Sequence, residues 1–147
     1  MTAYLDTSAL AKWYVAEPGS DRFSAYLADI PDAVISRLTI VEMRCLLARR
    51  RRSGLLSAHL EALAYARFTE QIAAGYLRVE PMPDARLLEA LGLIERMPAI
   101  PLRTLDALHL AVAQAAAATT VATADAIMRQ AANALGLDVA FFGSEPP

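Results

Sequence analysis

Four carboxylates stand where chemistry competes with solvation as the use of a charge. Asp6 directly follows the apolar run "AYL". Glu42 lies in "LTIVEMRCLLARRRR", Asp106 in "LRTLDALHLA" and Asp125 directly after "TTVATA". Gathered in one cleft, such groups repel one another, and one would take up a proton. A divalent cation removes that conflict, and oxygen-only donors suit Mg²⁺ or Mn²⁺. A cation so held polarises a phosphodiester and lowers the pKa of an attacking water. Two cations about 4 Å apart clamp both the attacking and the leaving oxygen, and the sequence leaves one or two open. No cysteine or histidine cluster offers the ligands of a structural zinc site.

Each acid also has a local explanation. "TIVE" has the form of a capping box, with Thr39 as cap and Glu42 reaching back. Asp106 and Asp125 stand near expected helix starts, where negative charge is favoured. Asp6 can open the turn into the first helix, although the apolar residues before it make that reading the weakest of the four. Rival chemistry has less support. Ser8 lacks a "GxSxG" elbow and a histidine partner. Aspartyl-phosphate formation wants a second aspartate two residues after the first, where this chain has Ser8. His109, one helical turn after Asp106, can share its face and bond an acid; its apolar neighbours favour a buried packing role. His59 receives no role.

The elements that must position these acids follow from periodicity and punctuation. "AYL" reads as a strand, followed by a helix over "SALAKWYVAE" that Pro18 and Gly19 end. A short helix covers "DRFSAYLADI" and a strand "DAVIS". Two amphipathic helices, "LTIVEMRCLLARRRRSG" and "SAHLEALAYARFTEQIAAG", are joined by a short link and predict a helical hairpin. "YLRVEPMP" holds a strand, "DARLLEALGLIERMP" a helix, "TLDALHLAVAQAAA" a helix and "TTVATA" a buried strand. "DAIMRQAANALG" is a helix and "LDVAFF" a last strand. Five strands alternating with helices predict an α/β fold, a parallel sheet covered on both faces. Sites in such sheets gather outside the carboxyl ends of the strands, where Asp6 and Asp125 fall directly. Glu42 and Asp106 would sit in early turns of the intervening helices, which can point back toward the same edge.

Composition bounds the remaining possibilities. The 147 residues are 56% hydrophobic and 20% charged, enough for one domain with a real core and far from a disordered chain. A single domain over residues 1–143 with a frayed tail at 144–147 is expected. The one cysteine, Cys45, gives no disulfide framework and reads as a core thiol in a reducing compartment. No secretory leader or membrane-length apolar run is legible, so a cytoplasmic location is expected. The net charge of −2 averages over faces and does not exclude a nucleic-acid partner. All basic residues but Lys12 are arginine, whose rigid fork matches phosphate and carboxylate alike. Arg44, the run Arg49, Arg50, Arg51 and Arg52, Arg103, and Lys12 are therefore candidate contacts for RNA or for an acidic protein. The alternative for the run is a solvated helix end at the negative pole of the dipole.

The chain resembles the PIN-domain ribonucleases, and among them the VapC toxins of bacterial type II toxin–antitoxin pairs. "YLDTSALAKWY", "ISRLTIVEMRCLLAR", "LRTLDALHLAVA" and "TVATADAIMRQAANALGLDV" resemble the family's four acidic motifs in order and at ordinary spacing. The third is the most specific. The resemblance implies a three-layer sandwich, with a parallel sheet of about five strands, helices on both faces and a protruding helical hairpin. It implies Mg²⁺-dependent endonuclease activity on RNA, often structured RNA such as tRNA or rRNA, with Mn²⁺ able to substitute. Asp6, Glu42, Asp106 and Asp125 would form the metal-binding acidic pocket, Asp6 and Asp106 most directly, with Glu42 acting more through water. Thr7, Ser8 and Thr123 would support them. An extra acid sometimes found beyond the last motif is absent from "AIMR". In-line attack by water would leave a 5′-phosphate and a 3′-hydroxyl. The resemblance also implies a homodimer, or a hetero-oligomer with a small VapB-like antitoxin whose C-terminal segment lies over the groove. No membrane partner is expected. Two other functions remain open on the same fold: a non-catalytic RNA- or protein-binding module, and a nuclease processing another nucleic acid.

Overall fold

The computed structural model describes residues 1–145. Strand β1 (Thr2–Leu5) ends on Asp6, and the short helix α1 (Thr7–Leu10) follows at once. Helix α2 (Ser20–Ala28) leads to β2 (Asp32–Ser36). Helices α3 (Arg37–Arg52) and α4 (Ala58–Ala73) form the expected hairpin. Strand β3 (Arg78–Glu80), helix α5 (Asp84–Arg96) and helix α6 (Thr104–Ala115) come next. Strand β4 (Thr120–Thr123), helix α7 (Ala126–Ala134) and β5 (Asp138–Phe141) complete the chain.

The five strands form one sheet in the order β3-β2-β1-β4-β5, and every pairing is parallel. Alternation along each strand sends successive side chains to opposite faces. Ala3 and Leu5 of β1, with Ile35 of β2 and Ala122 of β4, join one core with Leu10, Phe23, Met43, Leu47, Phe68 and Phe142. Tyr4, Val34 and Val121 join the other with Leu93, Leu110 and Met128. The sheet is thus covered on both faces, as the near-continuous apolar strands require. Truncating a fully buried side chain such as Leu110 removes roughly 2–5 kcal/mol of such packing.

Chain order runs outward from β1 in one direction through β2 and β3, and in the other through β4 and β5. The gap between the carboxyl ends of β1 and β4 is therefore the topological switch point, the usual place for a site in an open parallel sheet. Asp6 N–H donates to the Ala122 carbonyl at 2.9 Å, extending the β1–β4 pairing by one bond and fixing Asp6 at that edge.

Three local expectations are corrected. The first helix does not continue to Glu17. It closes after Leu10 into a 3-10 turn over Ala11–Trp13. Arg67 of α4 lies over the rings of Trp13 and Tyr14 and donates to the Trp13 carbonyl, so tertiary packing takes the groups that would continue the helix. Thr39 is not the cap of α3. Ser36 caps it, its Oγ accepting from Thr39 N–H while Thr39 Oγ1 accepts from Ser36 N–H, both at 3.2 Å. Glu42 consequently sits a turn further in, free of capping. Cys45 is exposed rather than buried, because it lies on the cleft side of α3 while Met43, Leu46 and Leu47 take the inward positions. Lys12 turns to Glu17 (3.2 Å) and the Pro18 carbonyl (2.8 Å), closing the turn before α2.

Among the described residues no helix is long and apolar enough to cross a membrane. Glu145, within the expected tail, pairs with Arg129; residues 146 and 147 lie outside the described residues.

Candidate active site

All four predicted acids line one open cleft of about 500 Å³, together with Thr7, Ser8, Arg49, Arg103 and His109. They are organised as two pairs, each with its own basic side chain.

The first pair is Asp6 and Glu42. Asp6 Oδ2 accepts from the hydroxyls of Ser8 (2.6 Å) and Thr123 (2.8 Å). Both hydroxyls are themselves fixed, because Ser8 Oγ accepts from Ala124 N–H at 2.9 Å and Thr123 Oγ1 from Asp125 N–H at 3.0 Å. Asp6 is thus held by donors at the end of β4 as well as by its own strand. Its other oxygen, Oδ1, lies 3.8 Å from His109 Nε2. Glu42 Oε1 accepts from Thr7 Oγ1 at 2.8 Å and is bonded to the same His109 Nε2.

His109 is buried and is anchored from behind, its Nδ1 lying 2.6 Å from the Tyr4 hydroxyl. Burial alone would lower the imidazole pKa. The Glu42 hydrogen bond and the charges of Asp6, Glu42 and Asp106 outweigh it and raise the pKa above its ordinary value. Glu42 is the mirror case. Burial would raise it, but the bond and charge of His109 and the Thr7 hydroxyl hold it below the ordinary carboxylate value. Burial also raises the Tyr4 pKa, so its hydroxyl keeps its proton. A hydroxyl both donates and accepts, so it can face Nδ1 in either imidazole protonation state.

The second pair is Asp106 and Asp125. Asp106 stands in the first turn of α6 and accepts from the backbone N–H of Arg103 at 3.2 Å. Asp125 caps α7, its Oδ1 accepting from Ile127 N–H (2.8 Å) and Met128 N–H (3.0 Å). The helix-start roles read from sequence are therefore present, and they use only part of each carboxylate. Arg103 spans the remainder. Its Nε donates to Asp106 Oδ2 at 2.9 Å, and a terminal nitrogen donates to Asp125 Oδ2 at 2.7 Å.

The other candidate cations divide. Arg49 lines the cleft. Arg44 and Arg51 pair with Glu61 across the hairpin, and Arg50 pairs with Glu17. Arg52 is exposed at the end of α3. Lys12 does not line the cleft. Tyr4 was not legible as a site residue, because nothing in "TAYLD" marks which residue backs a histidine in α6. The bridging role of Arg103 had a faint signal, its i,i+3 spacing to Asp106.

The donor set suits a hard divalent cation, since the four acids supply only oxygen to the cleft. Among the described residues, no three His, Cys, Asp or Glu side chains already converge as a ligand shell. The cleft acids are drawn instead toward Arg103 and His109. The chemistry of the donors fits a metal, and occupancy requires those bonds to rearrange.

The fold and the site together define an α/β protein with an acidic cleft at the switch point of a parallel sheet. Residues 3–134 match the PIN domain family. The chain is 36% identical over 143 residues to Ribonuclease VapC46 of Mycobacterium tuberculosis, covering 92% of this chain and 94% of that protein. Among solved structures, VapC20 of Mycobacterium tuberculosis, a sarcin-ricin loop cleaving toxin, superposes with a TM-score of 0.71. The identity is 19%, over 88% of this chain and 95% of that one. FitAB bound to the IR36 DNA fragment superposes with a TM-score of 0.72 at 22% identity, over 99% of both chains. The chain belongs to the PIN domain family and is homologous to the VapC-like toxins of bacterial toxin–antitoxin systems.

Proposed function

We propose that this protein is a divalent-cation-dependent endoribonuclease toxin that hydrolyses phosphodiester bonds of structured RNA, such as tRNA or rRNA. The observation that carries the reading is the convergence of Asp6, Glu42, Asp106 and Asp125 on one cleft, where Arg103 and His109 are the basic side chains paired with them among the described residues. Carboxylates gathered this closely repel one another, and a further cation relieves that repulsion. The 36% identity to a protein named a ribonuclease supports the substrate class.

Asp6, Asp106 and Asp125 would hold the cation, Mg²⁺ with Mn²⁺ able to replace it, and Glu42 would act on it through water. When bound, the ion supplies Lewis-acid activation of water and neutralises charge on the phosphate. Thr123 and Ser8 keep Asp6 oriented by donating to one oxygen, which leaves the other turned to the cleft. His109 and Thr7 hold Glu42 at the cleft wall, where it can accept a proton from the attacking water. Arg49 and Arg103 bring positive charge to the rim for the nucleic-acid backbone.

The partners belong to the same proposal. A small VapB-like antitoxin would cover the cleft and the α3–α4 face, where Val41, Leu55, Leu60 and Leu63 are exposed beside the arginine run. A second copy of the chain would cover the outer face of α5. A cytoplasmic site of action follows from the RNA substrate.

The test incubates purified protein with total cellular RNA in Mg²⁺, in EDTA, and as the Asp6→Asn variant, then maps the cut ends. Expected are Mg²⁺-dependent cuts bearing 5′-phosphates, and a loss of at least about a hundredfold in Asp6→Asn. Ends carrying 2′,3′-cyclic phosphate would overturn the reading, because they require attack by the RNA's own 2′-hydroxyl.

A further inference from the structure

Arg103 occupies an unusual position among the basic side chains of this chain. Its backbone is extended (φ −88°, ψ 162°) at the entry to α6, and its own N–H bonds Asp106. Its guanidinium then joins two carboxylates that belong to different elements, Asp106 of α6 and Asp125 at the start of α7. The planar fork lets separate nitrogens serve the two carboxylates, Nε toward Asp106 and a terminal nitrogen toward Asp125.

The oxygens it takes decide its significance. Asp125 Oδ1 is already committed to two backbone N–H groups of α7. Oδ2 is the oxygen left for the cleft, and Arg103 holds it at 2.7 Å. Asp106 Oδ2 likewise receives both the backbone N–H and Nε of Arg103. Asp106 Oδ1 has a longer contact, 3.4 Å, to the same guanidinium, so a cation shared between Asp106 and Asp125 would meet Arg103 at both carboxylates. Arg103 and such a cation therefore compete for the two acids, most directly at Asp125 Oδ2.

The surroundings permit exchange. The Arg103 side chain is 63% exposed, whereas those of Asp106 and Asp125 are 10% and 27% exposed. The guanidinium is thus the solvent-facing member of the cluster. Salt bridges exposed to water on one side are held weakly enough to rearrange. Once released, the fork stays tethered at the rim of the cleft and matches a phosphate as well as it matched the carboxylates.

We propose that Arg103 is an internal stand-in for the divalent cation, which keeps Asp106 and Asp125 paired until the ion binds and then passes to a phosphate of the bound nucleic acid. The proposal rests on the acidic cleft being the metal site. Arg103 is thereby a positioning residue with two partners used in turn. Before loading it neutralises the acids and holds α6 and α7 in register. After loading it draws the nucleic-acid backbone toward the cleft.

The experiment uses the full chain without antitoxin as wild type, Arg103→Gln and Arg103→Lys, with melting curves to verify folding. Mn²⁺ binding is measured by calorimetry at neutral pH. Arg103→Gln should bind Mn²⁺ about tenfold more tightly than wild type, because a charge-assisted competitor is removed. Arg103→Lys should fall between them. Binding of a fluorescent oligoribonucleotide is then measured in saturating Ca²⁺ and in EDTA. In Ca²⁺, Arg103→Gln should bind roughly threefold to tenfold more weakly, with a salt slope shallower by about one phosphate contact. In EDTA the substitution should change binding by less than about twofold, since the carboxylates occupy Arg103 in the wild type. A merely structural role would not depend on the metal in this way. Equal or weaker Mn²⁺ binding by Arg103→Gln overturns the stand-in while leaving the acidic cleft as the metal site. The same oligonucleotide effect in Ca²⁺ and EDTA overturns the transfer to phosphate. Absence of Mn²⁺ uptake by all three chains overturns the metal-site reading and the stand-in with it.

Discussion

Thr123 shows how a buried hydroxyl can serve two acids at once. It donates to Asp6 and accepts from the backbone N–H of Asp125, so it links the two carboxylate pairs through one oxygen. Thr123→Val keeps the shape and removes the oxygen. It should cost about 1–3 kcal/mol of stability, read from urea unfolding, because a part-buried N–H and a buried carboxylate both lose their partner. Cleavage should fall roughly tenfold through misorientation of Asp6 and Asp125. The His109–Glu42 contact makes a separate prediction in pH. The His109 pKa is raised on folding, so its contribution is full below the ordinary 6.5 and is lost as pH climbs through the folded value. The Glu42 pKa is lowered, so its contribution is full above the ordinary 4.5 and is lost as pH falls through the folded value. Both are fully present only between those two ordinary values. In EDTA, the urea midpoint of the wild type should decline from pH 6 toward pH 9. Glu42→Gln should flatten that decline, since the charged partner that raises the imidazole is gone.

The acids depend on elements meeting at one edge, and the loops there are tight. Gly143, just beyond β5, runs against the segment before Asp125. A Cβ at this position would stand 2.5 Å from the Ala124 carbonyl oxygen and 2.5 Å from Phe141 Cζ. The Phe141 ring can move, but the carbonyl belongs to backbone that supports the Asp125 cap. Gly143→Ala should therefore destabilise the fold by about 1–3 kcal/mol in thermal unfolding. It should also weaken Mn²⁺ binding by displacing Asp125, which calorimetry would register. An alanine that left both melting and Mn²⁺ affinity unchanged would show that this loop yields without cost. At the start of α3 the same dependence appears in gentler form. Ser36 and Thr39 cap the helix by reciprocal bonds, which frees Glu42 to face the cleft in place of the helix end.

At the scale of the molecule, α5 carries apolar residues on two faces. Ala90 and Leu93 are buried in the core. Leu87, Leu88, Leu91 and Ile94 lie outward with exposures of 55%, 72%, 54% and 37%. An outward apolar stripe of this kind is the face that the proposed second copy would cover. If a second copy covers it, Leu88→Glu should shift sedimentation from dimer to monomer at micromolar concentration while leaving the thermal midpoint within a few degrees. A wild type that sediments as a monomer at that concentration would remove the homodimer from the proposed function.

Much of this architecture was legible in the linear sequence. The strand "DAVIS" and the start of α7 directly after Asp125 follow from apolar runs, turn residues and capping acids, all interactions within a few residues. Those runs also imply a parallel sheet, and the sheet implies that acids after β1 and β4 meet at one edge. The sequence therefore determined which acids share a cleft. It did not determine which oxygen of each acid remains available, because that depends on donors from elsewhere: Thr123 to Asp6, Thr7 to Glu42, Arg103 to Asp125. Nor did it mark Tyr4 as the support of His109, a pair 105 residues apart along the chain. The early end of α1 and the exposure of Cys45 were hidden for the same reason. Local propensity acts between neighbours in the chain, whereas hydrogen-bond partners and exposed faces are decided by strand register and helix packing. Those exist only once the two cores have formed on the sheet.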